Sequence, residues 1–213
     1  MSLQVPYIPV NSRHTLREIS ERLDRLESHA IEQASWPSYG YKPQVSFSIA
    51  HNEDAILLKY YVKENSVRIC CQTNNGPVHQ DSCVEFFISF NNDAGYYNLE
   101  FNSIGVCLAA FGKSRSDRKL LPKDSIGRIR SLAQIESVTE DEEKQVCWQL
   151  TLMIPMNVFI YHHIFHLRDR KCKVNFYKCG DELPQPHFLS WKPVEADSPD
   201  FHLPEYFGKM QFV

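Results

Sequence analysis

The sequence predicts an all-β fold: an antiparallel β-sandwich of jelly-roll type with an N-terminal amphipathic helix. Three observations carry this expectation. Apolar and polar residues alternate in several short runs, which is the period of a half-buried strand. Turn-forming clusters such as Asn74-Asn75-Gly76-Pro77 and Asn91-Asn92-Asp93-Ala94-Gly95 separate those runs. Thirteen Phe, ten Tyr and three Trp supply strand-favouring bulk.

The elements follow in order. VPYIPV reads as an extended arm. Asn11 or Ser12 can cap a helix in which Leu16, Ile19, Leu23 and Leu26 recur at helical spacing, with Ala30 continuing the stripe. Its charged opposite face suits a helix lying on one side of the sandwich. Strands are expected over 44–51, 54–63, 66–72, 81–90, 96–102, 145–154 and 173–179, with a last one in YFGKMQFV. In 81–90, Val84, Phe86, Ile88 and Phe90 face one way, and Cys83, Glu85, Phe87 and Ser89 the other. Tyr97, Leu99 and Phe101 oppose Asn98, Glu100 and Asn102. The acidic run Glu140-Asp141-Glu142-Glu143 reads as a hairpin tip. No repeat or linker divides the chain, so residues 1–213 form one domain, with 1–40 as arm and helix packed on it.

Composition excludes some classes. The 213 residues are 43% hydrophobic and carry a formal net charge of −3. That charge argues against nucleic acid, whose binders show a basic stripe. The densest basic stretch, Lys113 to Arg130, reads as a solvated loop from which Arg115 could reach a ligand. No apolar run is long enough for a membrane helix. The opening residues lack a leader pattern, and the seven Cys form no CxxC pair. They read as buried free thiols in a reducing, cytoplasmic setting.

Chemistry concentrates on one strand face. Glu85, then Asn98, Glu100 and Asn102, then Asn175 and Tyr177 place carboxylates, amides and a phenol on neighbouring strands. Sugar hydroxyls donate and accept at once, so such a set suits them. A solvent-facing sheet surface is the plainer alternative. Trp191, in a Pro-framed loop, could be a stacking platform or a core plug, whereas Trp36 and Trp148 read as packing residues. Glu85 and Glu100 also have the residue types of a glycosidase pair. His162, His163 and His166 could offer helix-spaced zinc ligands, but no third partner follows from spacing.

The run DSCVEFFISFNNDAGYYNLEFNSIG resembles the central signature of family 9 carbohydrate-binding modules. So does the order of Ile154-Pro155, Val174-Asn175-Phe176-Tyr177, the later Ser-Trp and the closing FHLPEYFGKMQF. The resemblance spans most of the chain from Val45 onward and leaves out the helix. It implies a sandwich related to DOMON domains that binds a mono- or oligosaccharide, catalyses nothing and accompanies a glycoside hydrolase in glycan degradation. It implies a sugar held between two rings. Trp191 resembles the second ring, His79 stands where the first is expected, and Glu85 and Asn175 match polar contacts. Structural calcium is frequent in such modules, and Asn91, Asn92 and Asp93 offer oxygens in a turn. Turn formation explains them equally, and no residue is assigned to a metal. The rival readings are a glycoside hydrolase using Glu85 and Glu100, and a DOMON-like haem or redox binder.

Overall fold

The computed structural model describes residues 2–213 apart from Ser12, Asn92, Asp141 and Glu142, and apart from the side chains of Glu140 and Glu143. Two sheets form a sandwich. The first runs β1 (Leu3–Val5), β13 (Gly208–Phe212), β11 (Lys171–Cys179), β5 (Cys83–Phe90), β6 (Tyr96–Asn102), β7 (Cys107–Gly112) and β8 (Arg118–Leu120), with β12 (Phe188–Ser190) added to β11. The second runs β2 (His29–Ala30), β3 (Gln44–His51), β4 (Ala55–Glu64), β10 (Glu143–Pro155) and β9 (Arg130–Glu140). The named pairs are antiparallel except β1 with β13. From β1 the arm continues to a parallel bridge between Tyr7 and His51, so it ties one sheet to the other.

Strand parity sorts the side chains. Val84, Phe86, Leu99, Phe101 and Phe176 face Phe47, Leu58 and Leu150 across the sandwich, all fully buried. Phe47 and Phe176 stack with ring centroids 3.7 Å apart. Trp148 belongs to this core, and Trp36 plugs a second apolar layer on the far side of the first sheet.

Several sequence expectations need correction. The helix, α1 (Leu16–Leu23), is capped by Thr15. Thr15 N donates to Glu18 Oε2 at 2.7 Å while Glu18 N donates to Thr15 Oγ1, a reciprocal box centred on Thr15 and not on Asn11; Ser12 lies outside the described residues. The helix stops before Ala30, which pairs with Ser46 in β2–β3. As expected, α1 lies on a sheet face: Ile19 and Leu23 pack on Ala50, Ala55 and Leu57 of the second sheet. Just beyond it, Asp24 accepts from buried Lys59 at 2.6 Å and from Tyr61 at 2.7 Å.

Residues 66–72 are not a strand. The amides of Cys70 and Cys71 donate to the Asp81 carboxylate at 2.9 and 2.8 Å, so a side chain satisfies backbone that a neighbouring strand would otherwise pair. The thiols are all free, but Cys70 is exposed and Cys147 half-buried. His162, His163 and His166 lie in an irregular loop, not on a helix. His162 instead meets Tyr97 Oη at 2.9 Å and Asp93 at 3.4 Å. The tip of the acidic run, Asp141-Glu142, lies outside the described residues, between the paired Glu140 and Glu143. Among the described residues no helix is long and apolar enough to cross a membrane.

Candidate functional site

The outward face of the first sheet is not left to solvent. Segments before β5 and after β11 fold over it, burying Phe87, Tyr96, Leu108 and Tyr177 with Val194, Phe201 and Phe207. Where this cover is incomplete, a hollow remains, with about 460 Å³ of empty space that is partly open to solvent. Its enclosed part is only about 60 Å³, well under the ordinary range for small-molecule sites, so a guest would sit in the open mouth.

Three strands supply the floor. Glu85 of β5 stands directly opposite Glu100 of β6 and Tyr177 of β11, and Cys179 follows on β11. His79 enters from a helical turn at Val78–Gln80, Arg115 and Arg118 from the β7–β8 connection and β8, and Asp181 from the end of β11. Phe188 and the run Pro199-Asp200-Phe201-His202 close the other side.

The two carboxyls are in different states. Glu100 Oε1 accepts from Arg118 Nη1 at 3.1 Å and from Asn98 Nδ2 at 2.8 Å. Its Oε2 lies 3.9 Å from His79 Nδ1, too far for a hydrogen bond and therefore free to accept one from a guest. Burial still raises the Glu100 carboxyl against the opposing pull of Arg118 and His79. Glu85 has no such cation at contact distance. Burial and then the nearby Glu100 push it well above the usual carboxylate range, which favours its protonated form, and its Oε1 accepts from Cys179 Sγ at 3.2 Å.

His202 links wall to floor. Its Nε2 accepts from Arg118 at 3.0 Å, which leaves Nδ1–H to donate to Tyr96 Oη at 2.9 Å. Burial, then Arg118, Arg115 and His79, depress its pKa to about 3. An unfolded histidine titrates near ~6.5. As pH falls, the unfolded chain therefore takes this proton first, and stability is lost between about pH 6.5 and about pH 3. Urea unfolding across that window should show a shallower acid decline in His202→Asn than in the parent. Equal slopes would mean that the imidazole is not held neutral.

The sequence-derived residues divide into groups. His79, Glu85, Glu100 and Arg115 line the hollow. Asn98 stands behind Glu100, and Tyr177 supports Phe201, stacking on it at 4.1 Å and donating to its carbonyl at 3.1 Å. Asn102 and Asn175 face the same way but hold the cover. Asn102 donates to Cys71 O and Asp81 Oδ2, and Asn175 exchanges bonds with the Lys192 backbone at 2.9 and 3.1 Å.

Trp191 stands apart from the hollow and is partly buried. Its amide donates to Phe176 O, and its ring sits on the inner side, edge-on to Phe47 and Phe176. Gly208 lacks the Cβ that would strike the ring, and Lys192 Nζ covers it at 4.0 Å. It does not line the hollow. The aromatic lining is Phe188 and Phe201, which sequence reasoning missed along with Arg118, Asp181, Asp200 and His202. The run Asp200-Phe201-His202, at the head of the closing FHLPEYFGKMQF, was the available signal for three of these. The calcium turn fits poorly. Asn91 Oδ1 accepts from Arg170 at 2.7 Å, Asp93 faces Gly95 N and His162, and Asn92 lies outside the described residues.

Against known families, the model of carbohydrate-binding family 9 matches residues 17–212. The chain belongs to that family. A Bacteroides uniformis protein, described as carbohydrate-binding by inference, is 36% identical with a TM-score of 0.91, and the match covers 100% of this chain and 99% of that one. A family 9 module of Caldicellulosiruptor kristjanssonii in complex with glucose shares 12% identity and a TM-score of 0.59, over 100% of this chain and 96% of its own. The cellotriose complex from that organism gives 12% and 0.55, over 100% and 93%. At such identity these two show the fold alone. None of the curated proteins compared matches the family 9 chain.

Proposed function

We propose that the hollow binds a mono- or oligosaccharide without cleaving it, and that the protein serves glycan degradation beside a glycoside hydrolase. One observation carries this reading: two buried carboxyl groups, Glu100 ion-paired with Arg118 and Glu85 without a cation at contact distance, stand side by side on a rigid floor, flanked by the rings of Phe188 and Phe201. The Glu85 O–H can donate to one hydroxyl while Glu100 Oε2 accepts from another. Arg115 and Arg118 add donors, and the Phe rings meet the apolar C–H side of a pyranose. Membership of a carbohydrate-binding family supports the same guest.

Calorimetry with glucose, cellotriose and a wider glycan panel tests it. Glu100→Gln and Phe201→Ala should each weaken binding about tenfold or more, the equivalent of about 1.4 kcal/mol. Trp191→Ala should leave affinity within about twofold, since its ring contacts the inter-sheet core. Binding lost in Trp191→Ala yet kept in Phe201→Ala would place the guest elsewhere. Turnover of aryl glycosides that vanishes in Glu85→Gln would replace binding by hydrolysis.

A further inference from the structure

We propose that Cys83, Glu85 and Cys179 form a site for a thiophilic divalent cation, with zinc the best-fitting ion. This does not rest on the sugar reading but shares Glu85 with it: a bound ion would take the carboxyl that otherwise donates to a hydroxyl. Antiparallel register puts Cys83 directly opposite Cys179, and strand parity puts Glu85 on the same outward face. One donor atom from each lies within 4.8 Å of the others, and Cys179 Sγ is 3.2 Å from Glu85 Oε1. A tetrahedral zinc ion takes Zn–S distances of ~2.3 Å and Zn–O of ~2.0–2.2 Å, which set donor–donor edges of roughly 3.5–3.8 Å. Small side-chain rotations bring these three donors to that spacing. Two sulfurs and one carboxylate form a soft donor set that selects zinc over magnesium or calcium.

The surroundings fit as well. Glu85 and Cys179 line the hollow, so an ion has a way in, and a fourth position is left for water as in open zinc sites. Two thiolates and a carboxylate around a divalent ion leave one negative charge. Arg118 and Lys178 act on Glu85 and Cys83 respectively and offset it. Without metal, burial holds the Cys83 thiol protonated, its pKa raised to about 12. Binding therefore breaks each S–H bond and the Glu85 O–H bond, forms two S–Zn bonds and one O–Zn bond, and releases the three protons to solvent, so affinity rises with pH. No oxidation occurs.

The test is titration of the reduced full-length protein with Co²⁺, followed by displacement with Zn²⁺. The expected result is one cobalt per chain with thiolate-to-cobalt charge-transfer absorption, weakening as pH falls. The absorption should vanish in Cys83→Ser and Cys179→Ser and persist in Cys172→Ser, whose thiol lies on the inter-sheet side. Zinc X-ray absorption of the unmodified protein avoids any misfolding of the variants and should show two sulfurs at ~2.3 Å. A shell of nitrogen and oxygen alone, a cobalt spectrum kept in both Ser variants, or a Cys83–Cys179 disulfide forming in equimolar zinc would each overturn the site.

Discussion

Lys178→Met should destabilise the protein by about 3–5 kcal/mol, the usual effect of stripping one partner from a buried ion pair. Lys178 of β11 and Glu64 of β4 come from opposite sheets and meet at 3.0 Å, with both side chains fully buried. The ammonium donates to Cys179 O at 2.9 Å and to His187 Nε2 at 2.7 Å, while its contact with Glu64 Oε2 is an ion pair without a hydrogen bond. Trp148 Nε1 donates to the other Glu64 oxygen at 2.7 Å. Removing Lys178 therefore leaves a buried carboxylate with the Trp148 indole as its hydrogen-bond donor and the His187 imidazole 3.7 Å away. Adding Glu64→Gln should restore most of the loss, because an amide oxygen still accepts from Trp148 and no charge stays buried. Urea unfolding of both variants gives the comparison. A loss under about 1 kcal/mol in Lys178→Met would mean that water reaches the pair.

Asp81→Ala should be nearly as damaging and should also remove ligand binding. The Asp81 carboxylate has no exposed surface and accepts from Cys70 N, Cys71 N, Asn102 Nδ2 and Arg68 Nη1. Burial alone would raise its pKa, yet these donors together hold it below the ordinary value. Alanine leaves the Cys70 and Cys71 amides without their acceptor and takes one of two acceptors from Asn102 Nδ2, at about 1–3 kcal/mol for each amide left unpaired. The same segment carries His79 into the hollow, so its loosening should reach the guest. Asp81→Asn keeps the shape and one acceptor oxygen, and an intermediate loss of stability is expected. Unfolding midpoints within about 0.5 kcal/mol of the parent for Asp81→Ala would show that the cover is held by other means.

How much of this was legible depends on the range of each signal. Alternation is local, so 81–90 and 96–102 could be divided into two faces from the chain alone, and register then set Glu85 against Glu100. The cover was not legible. Asn102 and Asn175 look like ligand groups in a strand pattern, and only a folded loop shows that backbone donors and acceptors need them first. Arg118, Asp200, Phe201 and His202 reach the floor through loop closure, which leaves no periodic trace. Trp191 failed by one step of parity. Ser190 pairs with Tyr177, whose side faces the hollow, so the next residue turns inward to Phe176. In the helix, propensity continued past Leu23, while pairing of Ala30 with Ser46 decided the outcome.

Because loops roof the floor and side chains pin them at few points, the molecule separates what must endure from what can drift. Exchange among the residues of 181–202 can recast the recess for another guest while Val84, Phe86 and Leu99 keep the scaffold intact beneath. Divergence of ligand preference between relatives that share this architecture should therefore be read first in that segment.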